Sequence, residues 1–342
     1  MNKMLNGRYI KANGISCSGL EFMEVVVVGA KGFGKVHLRS IRGADVSIVE
    51  RDQKVIEEVC SKFNISKVYS NYEEALRSGA DIIDLVVPHN LHREFAIRAL
   101  ENGKHVILEK PIATTIQDAE AIERAARKSG LKCNIAEQYH FDPSLTEASR
   151  IIKEGKLGRI TNILVRDQRF YDHHGWRTEK SSMGGGALID GGIHYIHTLL
   201  TLGGDYSGIT GRYNKGGSTL DGEDSSMSLF DFSSGATGFL FYSWTYGDPP
   251  RVPGIEVTGT EGSLYEDIGT RSADDFKNES RTTAFGDLVM NGKHLNIEKY
   301  DIFVREFSQF IESVEKDLPE PMPPSLAIRD LRAALSIYGQ LA

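Results

Sequence analysis

Five short apolar runs, rich in β-branched residues, mark the chain between Glu24 and about Gln138: "EVVVVG", "VSIVE", "IIDLVV", "HVILEK" and "CNIAE". Each is nearly continuous rather than alternating, as a strand buried on both faces requires. Helical patterns lie between them. Val55, Ile56, Val59, Cys60 and Phe63 mark one face, and Leu91, Phe95, Ala99 and Leu100 another, ended by Gly103. "TTIQDAEAIERAARKSG" opens with Thr115 and Asp118 at capping-box spacing and closes on Gly130. Strand and helix in strict alternation predict a doubly wound parallel sheet.

The pattern changes after Gln138. "PSLTEASRIIKEGKLG" reads as a helix and "RITNILVRDQRF" as a long strand. "MSLFDFSSGATGFLFYSW" and "GIEVTGTEGSLYE" read as hairpins. Asp267 to Glu298 reads as an irregular loop, and Tyr300, Phe303, Phe307, Phe310 and Val314 as one stripe of a helix. The fold class expected is therefore α/β, an N-terminal doubly wound parallel sheet plus a C-terminal α+β domain with a large, mainly antiparallel sheet. At 342 residues the chain has room for two domains. They are expected at 23–138 and 139–342, the last helix packing back on the first. Residues 1–22 read as a leader, an extension or poorly ordered. Hairpin strands apolar on both faces (Phe230, Phe232, Leu240, Tyr242 and Trp244 on one, Met227, Leu229, Phe239 and Phe241 on the other) point to a homodimer or homotetramer through this sheet.

A net charge of -7 gives no reason to expect a nucleic-acid partner, and no run approaches a membrane span. The leader lacks the apolar centre of a secretory signal. Three cysteines, Cys17, Cys60 and Cys133, at no metal spacing, fit a reducing cytoplasm.

The first strand runs into "GAKGFGKVH". A dinucleotide-binding turn wants G-x-G-x-x-G between a strand and a helix, where free N–H groups meet a pyrophosphate. Gly29, Gly32, Phe33 and Gly34 suit such a loop, but Lys31 stands where the second glycine is expected. Its Cβ loosens the backbone's approach; its ammonium can reach a phosphate, or point to solvent. Glu50 follows Gly29 by about 20 residues, the place of the acid that holds the ribose diol. A carboxylate there favours NAD, while the neighbouring Arg51 leaves NADP open.

With this loop, two further motifs carry a resemblance. Pro88, His89 and His92 form a strand-end P-x-x-x-H, and Glu109-Lys110-Pro111 a strand-end E-K-P. "GGGALIDGGIH" supplies Gly184, Gly185, Gly186, Leu188, Asp190, Gly192 and His194. Together they resemble the Gfo/Idh/MocA oxidoreductases from about Met23 to the C-terminus. The resemblance implies a Rossmann cofactor domain, hydride transfer between a nicotinamide and a hydroxyl-bearing carbon of a sugar, polyol or related small molecule, and a cis Lys110-Pro111 bond. It implies that His194 is the proton acceptor, assisted by Lys110 and Asp190. The chemistry is sound. Lys110 lies at a strand's carboxyl end, where ligands of open α/β sheets bind, and its ammonium can steady a developing alkoxide. A histidine can take the hydroxyl proton, and a carboxylate can fix its tautomer.

Asp190, His194 and His197 fall on one face of a continuous helix. With His173 and His174 they are donors zinc could use, but no general-base glutamate sits at metalloprotease spacing, and no metal is expected. His197 and His140 depart from the family pattern, which often has aspartate and arginine there; both are candidate substrate contacts. Tyr171 is another, and Trp176 and Arg177 are placed near the cofactor. Two other readings fit the same residues: an NAD-dependent glycoside hydrolase, or a non-catalytic NAD(P)-binding sensor.

Overall fold

The computed structural model describes residues 23–271 and 282–339, and the backbone of a two-strand ladder pairing Met4–Leu5 with Arg8–Tyr9. The leader reading and Cys17 otherwise lie outside the described residues, as do residues 272–281 of the expected loop.

Six parallel strands form the first sheet: β1 (Glu24–Val28), β2 (Asp45–Val49), β3 (Ile65–Tyr69), β4 (Ile82–Leu85), β5 (His105–Glu109) and β6 (Cys133–Ala136). Their order is β3-β2-β1-β4-β5-β6, the Rossmann order that reverses direction beside β1. Five of these strands are the apolar runs of the sequence. β3 is not, because an edge strand needs only one covered side; Ser66, Lys67 and Val68 are exposed. Helices α1 (Gly34–Ser40), α2 (Gln53–Lys62), α3 (Tyr72–Leu76), α4 (His92–Glu101) and α5 (Ile116–Ser129) connect the strands. Thr115 caps α5 through Asp118 N at 3.2 Å, and Gly130 ends it at φ 69°.

α6 (Pro143–Lys153) leads into the second sheet. Its strands are β7 (Ile160–Gln168), β8 (Tyr206–Asn214), β9 (Ser225–Phe232), β10 (Thr237–Ser243), β11 (Ile255–Gly259), β12 (Ser263–Asp267), β13 (Asp287–Met290) and β14 (Lys293–Leu295). The order is β8-β9-β10-β7-β11-β12-β13-β14, antiparallel except between β10 and β7. The expected irregular loop from Asp267 to Glu298 is corrected here: β13 and β14 extend the sheet within it. These strands are four and three residues long, too short for a period-2 signal to show.

After the short α7 (Lys180–Met183), the inner face of this sheet packs on α8 (Ile193–Gly203). Ile163, Val165, Phe230, Leu240 and Tyr242 share one core with Ile196, Leu199 and Leu200. On the opposite face Met227 and Leu229 are 48% and 49% exposed. The last two helices join the halves. On α9 (Ile302–Glu315), Phe307, Phe310 and Ile311 pack with Val25 and Val27 of the first sheet, while Ile302 and Phe303 enter the second core. On α10 (Pro324–Ile337), Ile328, Leu331 and Leu335 pack with Val106, Leu108 and Ile135. Among the described residues no helix is long and apolar enough to cross a membrane.

Asp142 is a second clamp between distant segments. One carboxylate oxygen accepts Ser144 N and Leu145 N at 2.9 and 3.1 Å, capping α6. The other accepts Ala284 N and Phe285 N at 2.7 and 3.2 Å. Asp142→Ala leaves these buried donors unmet and is expected to destabilise the fold by about 2–4 kcal/mol. Urea denaturation checks this as a lower midpoint at unchanged slope.

Candidate active site

The opening loop turns tightly against the end of β4. A Cβ on Gly29, at φ 98°, would lie 2.2 Å from the Val86 carbonyl oxygen. A Cβ on Gly34 would lie 2.0 Å from the Gly29 carbonyl oxygen, so α1 starts only because both positions lack one. This cradle borders a cavity of about 160 Å³ lined by Gly29, Gly32, Phe33, His89, Trp176 and Arg177, among others. Bare backbone at the carboxyl edge of a parallel sheet, beside the strand-order reversal, fits a dinucleotide.

Lys31 lines this cavity; its side chain is 64% exposed, and its ammonium meets Asp52 at 2.7 Å, at the α2 N-cap. That contact raises the lysine pKa. Glu50 caps the turn after β2, its Oε1 accepting Arg51 N and Asp52 N at 2.8 and 3.0 Å. Arg51 donates to the Ser70 carbonyl oxygen at 3.2 Å. Pro88 and His92 do not line the cavity. The His92 ring lies between the Pro111 and Val87 carbonyl oxygens at 2.8 and 3.0 Å, bracing the two strand ends. His89 donates from Nδ1 to the Met183 carbonyl oxygen at 2.9 Å, and burial pushes its pKa down to about 3. Its ring meets Trp176 edge-on at 4.8 Å.

A larger cavity, about 490 Å³, opens between the two sheets. Lys110, Asp190 and His194 all line it. Lys110 follows β5, and its peptide bond to Pro111 is cis. Lys110 Nζ donates to the Asp190 carbonyl oxygen at 2.6 Å and to Asp190 Oδ1 at 3.1 Å. Asp190 Oδ2 accepts from Arg177 Nε at 3.1 Å, while the same guanidinium covers the Trp176 ring at 4.4 Å. Burial would raise the Asp190 carboxyl, yet Lys110, Arg177, His89 and His173 hold it well below the usual range. It is an anion at any working pH.

The expected continuous helical face is broken. Leu188–Gly192 is a turn of π-helix, and α8 begins only at Ile193. From this turn Asp190 bonds Lys110 and Arg177. The carboxylate on the histidine is instead Glu137, which the sequence reading passed over. His194 Nδ1 lies 2.6 Å from Glu137 Oε1. Glu137 follows β6, the same strand-end position that singled out Lys110, and that was the available signal. His197 bonds Asp330 of α10 at 2.7 Å through Nδ1, and His140 Nδ1 lies 3.1 Å from His197 Nε2. Neither lines the cavity. They form a network behind the wall in which His197 is buried and His140 half-buried.

Tyr171 does line the cavity. It stacks on His173 at 4.2 Å, and His173 meets Trp244 at 4.3 Å. Tyr139, Arg169, Tyr195 and Tyr242 complete the wall. These were missed because they come from separate segments with no shared spacing. Tyr139 lies flat against His194 at 4.6 Å.

Behind the loop, His37 of α1 is fully buried between Asp84 Oδ2 at 2.9 Å and Glu109 Oε1 at 2.8 Å. Burial opposes its charge, but the two carboxylates hold its pKa well above the ordinary value. Glu109 Oε2 in turn accepts Lys110 N at 3.1 Å.

The profile of the "Oxidoreductase family, NAD-binding Rossmann fold" matches residues 23–137, and that of the "GFO/IDH/MocA C-terminal domain" matches 145–265. Scyllo-inositol 2-dehydrogenase (NAD(+)) of Bacillus subtilis is 29% identical over 264 residues, 71% of this chain and 73% of that one. Levoglucosan dehydrogenase of Pseudarthrobacter phenanthrenivorans is 27% identical over 248 residues, 64% of this chain; the match spans 63% of that protein's length. A solved levoglucosan dehydrogenase in complex with NADH and levoglucosan superposes with a TM-score of 0.77 at 22% identity, covering 93% of this chain and 96% of that chain. The chain belongs to the Gfo/Idh/MocA family of NAD-binding oxidoreductases.

Proposed function

We propose that the protein oxidises a secondary hydroxyl of a sugar, polyol or related small molecule, Lys110 holding the oxygen and His194 taking its proton. The observation that carries this is Lys110 and His194 on one cavity wall, each pinned by its own buried carboxylate at 3.1 and 2.6 Å. NAD, when bound, supplies the hydride acceptor. Residues 23–138 serve as the cofactor half and 139–342 as the substrate and assembly half.

Lys110 gives two donors to Asp190 and has a third for the substrate oxygen, where a positive charge favours alkoxide character. Asp190 orients that ammonium and, through Arg177 and Trp176, ties it to the cofactor side of the cleft. His194 uses Nδ1 on Glu137, leaving Nε2 for the substrate hydroxyl. The Tyr139, Tyr171, Tyr195, Tyr242 and Trp244 rings give the cavity a flat aromatic lining suited to a sugar ring, while the Trp244 indole N–H is donated to Tyr242 Oη at 2.7 Å and the Tyr139 and Tyr195 hydroxyls meet at 3.3 Å.

Glu50, at the carboxyl edge beside the loop, accepts the ribose hydroxyls, favours NAD over NADP, and repels a 2′-phosphate. The exposed Met227 and Leu229 on the outer face of the second sheet are covered by another copy of the chain, making a homodimer or homotetramer. Cys60 and Cys133 are free thiols, in keeping with a cytoplasmic protein.

Two measurements test this reading. Lys110→Ala and His194→Ala are each expected to lower turnover by about 100- to 10,000-fold in a panel of sugars and polyols, with NADH still bound. NADH formation followed by absorbance reads the first, and NADH fluorescence the second; undiminished turnover in both variants sinks the proposal. Glu50→Ala is expected to weaken NAD binding by about tenfold while leaving NADP binding unchanged or stronger. Parallel fluorescence titrations with NADH and NADPH decide it.

A further inference from the structure

We infer that Glu137 and His194 act as one proton-accepting dyad, Glu137 taking up a proton during turnover rather than only orienting the histidine. The inference rests on the proposed role of His194. As hydride leaves the substrate carbon for the bound nicotinamide, the substrate O–H bond breaks and its proton goes to His194 Nε2. The proton on His194 Nδ1 passes to Glu137 Oε1. One hydride and one proton leave the carbinol; the carbonyl product forms, and the dyad ends as neutral imidazole beside neutral carboxylic acid.

The geometry is a short buried bond. His194 Nδ1 and Glu137 Oε1 are 2.6 Å apart, with the residues 8% and 2% exposed. Tyr139 holds the ring flat on one side at 4.6 Å, and its own N–H bonds the same carboxylate oxygen at 3.1 Å. The bond is thus fixed on both partners, and proton transfer needs no side-chain movement.

The surroundings decide where the proton rests. His194 faces Lys110 and His197, whose charges oppose an imidazolium, and Glu109 and Asp190, which favour one. Burial, the largest influence, acts with the two cations against the two carboxylates and holds the imidazole well below its ordinary pKa. Glu137 faces His197 and Lys110, which favour its anion, and Asp330, which opposes it. Glu306 also lies within reach of Glu137, a buried carboxyl pushed well above its usual range. Burial again comes first and pushes Glu137 up to about 7. A neutral pair avoids charge separation in a dry site. Asp190, with Lys110 and Arg177 against it, is shifted the opposite way, well below the usual range. Two carboxyls whose surroundings push them apart is the arrangement that assigns acid–base roles.

Sign follows from this. In oxidation the dyad must start with Glu137 ionised, so kcat should fall as pH drops through about 7. Glu137→Gln keeps an oxygen for Nδ1–H but cannot take its proton. It is expected to lose about 100-fold in kcat with KM and NADH binding retained, and the acid limb near pH 7 should move to lower pH. Loss below threefold, or a loss that leaves the acid limb in place, overturns the dyad and leaves Glu137 a structural partner. A proton inventory in mixed light and heavy water on the unaltered enzyme needs no variant: a curved plot means two protons in flight and supports the dyad, a straight one excludes it. An active His194→Ala would instead sink the proposed function itself; an inactive His194→Ala beside an unaffected Glu137→Gln removes the dyad alone.

Discussion

A buried ion pair, Lys110 with Asp190, is the contact on which the site depends. The lysine ends a strand of the first sheet, and the aspartate sits in the π turn ahead of α8, on the second half of the chain. Neither half alone can form it. Removing one partner of such a pair strands a charge in a dry place, at about 3–5 kcal/mol. The pair therefore registers the two halves and fixes the lysine side chain.

The pair belongs to a longer row of buried groups alternating in sign. Asp84, His37 and Glu109 run behind the glycine loop; Glu109 meets the Lys110 backbone, and Asp190 and Arg177 continue across the cleft. Each charge has an opposite neighbour, which is what makes burial tolerable. His194 and Glu137 stand outside this row. With no cation bonded to it, the Glu137 carboxylate is shifted upward by burial, while Asp190 is shifted downward by its two cations. Two carboxyls of the same chemistry are thus shifted in opposite directions by their surroundings.

Packing fuses the halves as firmly as charge does. α9 sends Phe307 and Phe310 to the first sheet and Phe303 to the second core, and α10 covers β5 and β6 from the other side. Segments separable by sequence pattern thus share cores through these two helices.

Local pattern made much of this protein legible. Continuous β-branched runs specify buried parallel strands, because burial on both faces leaves no room for polar residues. Gly29 and Gly34 suited a cofactor loop, and with the E-K-P strand end and the Asp190/His194 segment they carried the family resemblance that implied a carbinol chemistry. β3, β13 and β14 escaped notice because edge and very short strands carry no apolar period. What the sequence could not determine is which partners meet. Asp190 and His194 are close in the chain, yet a π turn sends them to Lys110 and to Glu137; His197, three residues beyond His194, goes to Asp330 behind the wall. Residue type and spacing set the chemistry available, but pairing is decided by which distant strand ends and helices the closed fold brings within hydrogen-bond reach.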